Sequence, residues 1–500
     1  MFKKIKTQFA ILLVLLLGWS CNSDEGNYDY NEINEINVTG IAATYTAYTG
    51  DNFKITPSLN PTLDDGSNSN RYTYKWVALN YALFGDGATT VIATTKDFDA
   101  QIKLPPAKYK VIYFVKDSVT GVTWQAADFE LNVVSAVYEG WLVIGDVNGK
   151  ARLDMVSIIP GVATPRVIND ALALTGSDLK LEGNAVDVSC FNLPLTSPLT
   201  YGIYVTASES GTARLDENSF AWKQSQNIAY ETVGGSFPTN FGVDFMKTPI
   251  SSAGGENFIY SKGNIYYYYR GMSTKYGLPQ NKVATETKNF YASPFIAENN
   301  GSSGTAVFYD RDGRRFLRFN YSAGNCSAMP TPVGANVLDW TTTTNCDLVY
   351  MTTSAFNQYE NFAVLRNIST GKYYLLRFDL KLNQTYYKEI LNAPDFDKAA
   401  KFAVSPDSGY LFYVAGNKLY EYDNGIQSAK LMIDKGSNEI TFIDFNPKAK
   451  TFAKKLILGS YNGTGGKLEL FDVPPVNGDL ILTNTYDGLC KIVDVAYRPR

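Results

Sequence analysis

Apolar and polar residues alternate along most of this chain. In the segments Tyr72–Val77 and Tyr109–Asp117, for example, most residues at alternate positions are aromatic or β-branched. A period of two puts alternate side chains on opposite faces of a strand, whereas a helix repeats every 3.6 residues. Segments rich in Gly, Asn and Asp separate the alternating stretches, as turns do. Since no long stretch has the helical period, the pattern predicts an all-β protein.

The first group of alternating segments lies within residues 36–135. It contains about six or seven short strands in roughly a hundred residues, which is typical of a two-sheet sandwich. Tyr72, Tyr74 and Trp76 share one face of a strand, so this face is expected to lie in the core of the sandwich. The sequence therefore predicts an Ig-like β-sandwich over residues 36–135.

Residues 138–500 contain an internal repeat. The segment Gly149–Asp154 recurs as Gly211–Asp216, and each copy is a turn followed by an alternating segment that usually ends in Asp or Asn. Looser copies occupy 263–269, 313–320, 371–379, 417–423 and 466–472. A spacing of about fifty residues matches a blade of four strands, so the repeat predicts a β-propeller of about seven blades. The alternative is a set of about two or three stacked sandwiches.

The two ends of the propeller region suggest how it closes. Val404–Pro406 and Phe445–Pro447 each precede a predicted strand, and the chain ends in the similar segment Val495–Pro499. The first blade, which begins at Gly140, has no such segment before it. The C-terminal strand is therefore expected to complete the first blade and remove its exposed edge.

The N-terminus has the pattern of a lipoprotein signal. A basic start is followed by the apolar run Phe9–Leu17, which is too short to span a bilayer because spanning takes about 20 apolar residues. Cys21 comes where lipoprotein signal peptidase cuts, so we expect residues 1–20 to be removed and Cys21 to carry the acyl chains. Residues 21–35 then form an acidic tether. The acidic pair behind Cys21 resembles the export signal of Bacteroidetes lipoproteins, which implies a location on the outer membrane, facing the cell exterior.

The composition restricts the chemistry. The chain has no histidine, so a Ser-His-Asp triad or a His-ligated metal site cannot form. A formal net charge of −4 offers no broad basic surface for nucleic acid. Cys326 and Cys346 could close a disulfide loop in an oxidising compartment. We find no catalytic constellation, and predict neither a metal site nor a cofactor.

Exposed aromatic side chains are the candidate ligand contacts. Tyr266 and Tyr268 belong to the densest aromatic run, and Trp222, Trp340 and Tyr359 fall between predicted strands, where propellers present ligands. An aromatic ring offers a stacking face, and Tyr adds a hydroxyl. Packing between blades is the alternative role for these residues.

The N-terminal module resembles a known family. Tyr109–Asp117 looks like the Y-x-V-x-L-x-V-x-D strand of PKD domains, and Phe84–Gly87 looks like their F-G-D-G turn. Trp76 lies further from that turn than in typical PKD domains, so the module is similar to a divergent member. The opening segment Asp24–Tyr30 resembles the start of the PKD-like-family lipoproteins of Bacteroidetes.

That resemblance implies a function. Such lipoproteins are found beside SusC/SusD-type TonB-dependent transporters, so the implied partners are a SusC-like transporter and a SusD-like lipoprotein. The implied role is an accessory that captures oligopeptides or oligosaccharides, or supports the transporter. Two alternatives are a surface glycosidase or lyase, which would need a buried carboxylate pair in the propeller channel, and a structural clamp without a ligand.

Overall fold

The computed structural model describes residues 32–68, 70–83, 88–192, 201–233, 237–251, 256–268, 275–300 and 304–500. Three features of the sequence analysis fall outside these ranges: the signal segment 1–20, the anchor Cys21 and the turn Phe84–Gly87. Most of the tether, 21–35, also lies outside them. The two predicted modules are described over most of their length.

Two compact units make up the chain. Apart from two short segments, 48–51 and 102–106, the first unit runs to residue 132. Those two segments and residues 133–500 form the second unit. Each unit has its own sheets and buried side chains, as expected of domains.

The first unit is built from nine described strands in three sheets. They are β1 (Ile36–Thr39), β2 (Thr44–Tyr48), β3 (Asn52–Ile55), β4 (Ser58–Pro61), β5 (Tyr72–Asn80), β6 (Thr89–Ala93), β7 (Phe98–Gln101), β8 (Ala107–Asp117) and β9 (Thr123–Val134). A five-stranded sheet has the order β2-β9-β8-β5-β6, and two smaller sheets pair β1 with β4 and β3 with β7.

Aromatic rings fill the core between these sheets. Trp76 on β5 is fully buried, and its ring centroid lies 4.2 Å from that of Tyr113 on β8. The same indole contacts Phe98 on β7 edge-on at 5.9 Å, and its Nε1 donates to the carbonyl of Thr95. The large sheet therefore packs on the β3–β7 pair, which makes this unit a sandwich.

A buried carboxylate ends the aromatic strand β8. Asp117 accepts hydrogen bonds from the Arg71 guanidinium at 2.7 Å, from Asn34 Nδ2 at 2.9 Å and from the backbone N–H of Val119 at 2.9 Å. These donors, led by Arg71, hold the pKa of Asp117 well below its usual range. The Asp of the PKD-like strand pattern thus anchors the loops at one end of the sandwich.

The second unit contains the remaining strands, in chain order. They are β10 (Glu139–Val147), β11 (Lys150–Ile158), β12 (Arg166–Ile168), β13 (Ala185–Asn192), β14 (Tyr201–Ala207), β15 (Gly211–Leu215), β16 (Phe245–Lys247), β17 (Asn257–Ser261), β18 (Asn264–Tyr268), β19 (Ala297–Glu298), β20 (Thr305–Asp310), β21 (Arg315–Asn320), β22 (Asn325–Ala328), β23 (Cys346–Ser354), β24 (Glu360–Asn367), β25 (Tyr373–Asp379), β26 (Gln384–Glu389), β27 (Lys401–Val404), β28 (Leu411–Ala415), β29 (Lys418–Asp423), β30 (Ser428–Asp434), β31 (Glu439–Asp444), β32 (Leu456–Tyr461), β33 (Gly466–Asp472), β34 (Ile481–Leu489) and β35 (Lys491–Arg498).

Helical segments are short in the described part of this unit. They are α1 (Ala171–Thr175), α2 (Phe356–Tyr359) and 3-10 turns at Gln224–Gln226, Ile228–Glu231, Tyr321–Ala323, Phe396–Lys398 and Lys450–Phe452.

Seven sheets of three or four strands follow one another in the described second unit. The first has the order β12-β11-β10-β35, and each later sheet uses consecutive strands, from β13-β14-β15 to β31-β32-β33-β34. The last strand of the chain therefore completes the first sheet, as the sequence predicts. Strand β35 pairs antiparallel with β10, from Gly140 opposite Arg498 to Asp146 opposite Lys491.

Apolar clusters join each sheet to the next. One cluster packs β10 and β11 against β13 and β14, through residues such as Leu142 and Ile203. Equivalent clusters join the second sheet to the third and so on to the seventh. A further cluster packs the seventh sheet against the first, with Leu468 and Leu470 next to Trp141 and Tyr497. The sheets are thus arranged as the blades of a β-propeller-like fold, and the predicted all-β fold class is confirmed.

The repeat of the sequence coincides with one strand of each sheet. Its copies cover β11, β15, β18, β21, β25, β29 and β33, each of which is the third strand of its sheet counted from the innermost. The Gly or Asn at the start of a copy belongs to the turn before this strand. The alternation within a copy places its side chains on two faces, which pack on the two neighbouring sheets.

The structure differs from the sequence analysis on the disulfide. Cys326 and Cys346 are both buried free thiols. Cys326 on β22 belongs to the cluster between the third and fourth sheets, whereas Cys346 on β23 belongs to the cluster between the fourth and fifth. Because the fourth sheet separates the two clusters, the predicted Cys326–Cys346 bond does not form.

Candidate functional site

A cavity of about 290 Å³ lies where the innermost strands of the second unit converge. Among the described residues, six of the seven sheets line it, through β13, β16, β23, β27, β31, β35 or the residues just after them. A concave site that several elements build together is the usual form of a ligand site. Its volume is at the lower end of the range for such sites, about 300–1,000 Å³.

Two carboxyl groups lie next to each other in the cavity. Asp187 on β13 and Asp494 on β35 are hydrogen-bonded to each other. Burial, and then the neighbouring Asp494 carboxylate, raises the pKa of Asp187 well above its usual value. Burial raises the pKa of Asp494 to about 6, while its Oδ2 accepts the backbone N–H of Val188 at 3.0 Å. Both shifts favour the protonated, uncharged form of a carboxyl group.

A third carboxyl group lies beside this pair. Asp444 is the last residue of β31, and its side chain is accessible within the cavity. The walls of the cavity surround the Asp444 side chain, and this burial raises the pKa of Asp444 to about 6. Its charge also contributes to the raised pKa of Asp494. Burial therefore favours the neutral form of all three carboxyl groups.

Two lysines bring positive charge to the same cavity. Lys247 ends β16 and Lys448 follows β31, and both line the cavity. Burial lowers the pKa of Lys448 to about 8. The Lys247 charge interacts with Asp444 as well as with Lys448.

Hydroxyl groups form the wall that β23 contributes. Tyr350, Thr352 and Ser354 line the cavity there. Burial, and to a smaller extent the Asp444 carboxylate, raises the pKa of Tyr350. The Tyr350 ring stacks on Phe402 with a centroid distance of 5.3 Å, so its position is fixed by packing.

A buried glutamate secures the loop that follows β16. Glu298 on β19 accepts the backbone N–H groups of Ile250 at 2.6 Å and Ser251 at 3.0 Å. Its own N–H donates to Thr353 Oγ1 on the neighbouring inner strand at 3.0 Å. Because Ile250 lines the cavity, these bonds hold the cavity wall next to Lys247 in place.

The aromatic residues chosen from the sequence do not line this cavity. Tyr266 and Tyr268 are buried in the cluster between the second and third sheets, and Trp340 is fully buried between the fourth and fifth. Trp222 is half-buried against the cluster between the first two sheets, and Tyr359 is half-buried after β23. The five residues are therefore spread over several blades and are not brought together.

The sequence contained one signal for the cavity. The segments that end in Ser405-Pro406, Asn446-Pro447 and Arg498-Pro499 mark three innermost strands, and each lies at or beside the cavity lining. Two of these segments contain an acidic residue a few positions before the proline, Asp444 and Asp494, which the sequence analysis did not select as candidate site residues. Asp187 has no such marker, because its strand lacks the proline.

Comparisons with known proteins agree with the architecture. Residues 21–182 match the model of the PKD-like family, so the N-terminal domain is PKD-like. No curated protein matches the sequence. No helix in the described ranges is both long and apolar enough to cross a membrane.

Solved structures give only distant likenesses. A quinoprotein alcohol dehydrogenase-like protein from Bacteroides thetaiotaomicron is 9% identical, with a TM-score of 0.45, over 91% of this chain and 97% of that one. The extracellular domain of a putative hybrid two-component system from the same species is 12% identical, with a TM-score of 0.36, over 62% and 35%. A GH74 xyloglucanase from Xanthomonas campestris is 13% identical, with a TM-score of 0.36, over 70% and 57%. Likenesses this distant bear on neither ligand nor activity.

Proposed function

We propose that this protein is a lipid-anchored binding protein of the outer membrane, which captures an oligomeric nutrient for a SusC/SusD-type importer. The observation that carries the proposal is the central cavity, which six sheets line and to which five of them contribute charged or hydroxyl side chains. Such a cavity accommodates one small polar unit of a ligand. The rest of an oligomer would extend over the loops at its mouth.

Binding suits the cavity better than glycoside hydrolysis does. Glycosidases hold their two catalytic carboxyl groups about 5–9.5 Å apart, so that a sugar or a water fits between them. Asp187 and Asp494 interact directly with each other, which leaves no room for a sugar between them. The chain also lacks histidine as an alternative base. The pair is therefore suited to holding a charge or a hydrogen-bond network.

A clamp without a ligand is also less well supported. Such a protein needs no internal cavity with ionisable groups, since burying charges costs free energy unless they are used. Here three carboxyl groups and two ammonium groups meet in one cavity. Their presence is more easily understood if a polar ligand compensates them.

The N-terminal region supports the proposal of importer partners. The PKD-like family match begins at Cys21, the residue that we expect to carry the acyl chains. An anchored protein is confined to two dimensions, which raises its effective concentration near a transporter in the same membrane. A modest interface would then suffice for a complex.

Affinity isolation from gently solubilised outer membranes tests the proposal. The anchored protein should recover a SusC-like TonB-dependent barrel and a SusD-like lipoprotein in near-stoichiometric amounts. The Cys21→Ala variant is the matched control, and it should leave the membrane fraction and recover neither partner. Isolation of the anchored protein alone, together with hydrolysis of an oligosaccharide, would overturn the proposal in favour of a surface enzyme.

A further inference from the structure

The turn that joins β23 to β24 has a left-handed backbone. Its residues Asn357, Gln358 and Tyr359 have φ angles of 50°, 62° and 73°. An L-residue rarely adopts this conformation, because its Cβ comes too close to the following carbonyl oxygen. A tight hairpin turn needs it at only two positions, which Asn-Gly usually occupies. Among the described residues, no other three successive non-glycine residues adopt it, so this turn is unusually strained.

The strained turn lies at the mouth of the central cavity. Strand β23 is one of the innermost strands, and its last residue, Ser354, lines the cavity together with Ala355. Ala355 is exposed, and so are Asn357 and Gln358 directly after it. A ligand that extends out of the cavity over Ala355 therefore reaches this turn.

A buried ion pair and an aromatic contact hold the turn in place. The fully buried Glu360 accepts a hydrogen bond from Asn357 Nδ2 at 2.9 Å and another from Arg377 Nε at 2.7 Å. The Arg377 guanidinium carbon lies 5.0 Å from the centroid of the Phe356 ring. Gly409 of the next sheet leaves room for this ring, since a Cβ there would lie 2.9 Å from it. Strained backbone persists only where its surroundings fix it in this way.

Two side chains of the turn gain nothing from this strain within the protein. Neither the Gln358 amide nor the Tyr359 hydroxyl has a hydrogen-bond partner in the part of the chain that the structure describes. The fold thus maintains a costly backbone conformation that gives these two side chains no internal contact. Strain of this kind is concentrated at ligand sites, where it holds side chains ready for binding.

We propose that this turn is a preformed part of the ligand site, in which Gln358 and Tyr359 contact the units of an oligomer that extend beyond the cavity. The inference rests on the proposed capture function and adds the contacts outside the cavity. The Gln358 amide can donate and accept hydrogen bonds, and the Tyr359 ring offers a stacking face. Because neither side chain is charged, the turn is suited to uncharged polar groups, namely sugar hydroxyls or peptide backbone amides.

Ligands of different length test the inference on the full-length protein. The probes are dimers and hexamers from two sources, neutral oligosaccharides and peptides of uncharged residues. A hexamer is too long for a cavity of about 290 Å³ and must extend over its mouth, whereas a dimer need not. The readout is the ratio of hexamer affinity to dimer affinity. The source that binds shows whether hydroxyl or amide groups are recognised.

Gln358→Gly removes the amide and keeps the left-handed backbone, which glycine adopts without strain. The lost hydrogen bond should lower the affinity ratio roughly three- to tenfold. The variant should melt no lower than wild type, since it relieves strain and removes no internal contact. Gln427→Gly is the matched control, because Gln427 has a φ of 55° and lies outside the cavity lining. It should leave the affinity ratio unchanged.

The outcomes separate this inference from the function on which it rests. An unchanged ratio in Gln358→Gly, or equal affinity of wild type for dimers and hexamers, would overturn the inference and leave capture by the cavity intact. A lower melting temperature in Gln358→Gly than in Gln427→Gly would also overturn it, because the glutamine would then serve the fold. If wild type binds neither dimers nor hexamers from either source, the capture function itself fails, and the inference fails with it.

Discussion

Removal of residues 491–500 is expected to destabilise the propeller-like unit by several kcal/mol or to prevent its folding. This segment contains β35, which pairs with β10 along its length. Ile492, Val495 and Tyr497 are buried there between the first and seventh sheets. Burying each apolar side chain of this size contributes roughly 1.5–3 kcal/mol, so their joint loss far exceeds an ordinary surface change of about 0.5 kcal/mol.

Thermal unfolding of the truncated chain provides the measurement. Removal of Pro499 and Arg500 alone is the matched control, because it shortens the chain but keeps β35. The control should melt close to the intact protein. A protein without residues 491–500 that also melts at the wild-type temperature would contradict the closure of the first sheet by the last strand.

Glu421→Gln is expected to stabilise the protein above pH 7. Both carboxylate oxygens of Glu421 on β29 are buried without a hydrogen-bond partner among the described residues. Burial raises the pKa of this group to about 7, from an ordinary value of 4.5. A raised carboxyl pKa means that the folded state binds the proton more tightly, so stability is lost as the pH rises from about 4.5 to about 7. The glutamine amide does not ionise, so the variant does not lose stability as the pH rises.

The expected gain grows with pH and then becomes constant. It should be small near pH 4, and should reach roughly 3 kcal/mol above pH 7, since each pKa unit corresponds to about 1.4 kcal/mol. Denaturant unfolding from pH 4 to 8 measures it, with exposed Glu182→Gln as the control. A stability difference between Glu421→Gln and wild type that does not vary with pH would show that the Glu421 charge is compensated.

The architecture could be read from the sequence because it depends on local periodicity. The alternation in Tyr109–Asp117 can be recognised within a single strand, without knowledge of its neighbours. The structure has a strand there, over Ala107–Asp117. The repeat beginning at Gly149 was detectable because the third strand of each sheet packs in the same way between two neighbouring sheets. The terminal strand was recognisable from the proline that follows the innermost strands.

The candidate site could not be read in the same way. Asp187 lies more than 250 residues before Asp444 and Asp494, and the three residues meet only because the first sheet uses the last strand of the chain. The aromatic run that includes Tyr266 and Tyr268 suggested a ligand surface instead. In the structure it supplies core, because a strand between two sheets buries both of its faces. Side-chain chemistry alone did not separate these two roles.

The central claim is that the cavity of the propeller-like unit binds the ligand, and filling it is the most direct test. Ala355, which follows β23, lines the cavity and has an exposed side chain. Ala355→Trp should therefore obstruct the cavity without disturbing a core, whereas Ala400→Trp places the same ring at an exposed position outside it. The measurement is equilibrium binding of oligopeptide and oligosaccharide libraries to both variants and to wild type. We predict that Ala355→Trp loses the binding seen in wild type while Ala400→Trp keeps it, and unchanged affinity in Ala355→Trp would contradict the assignment of the cavity as the binding site.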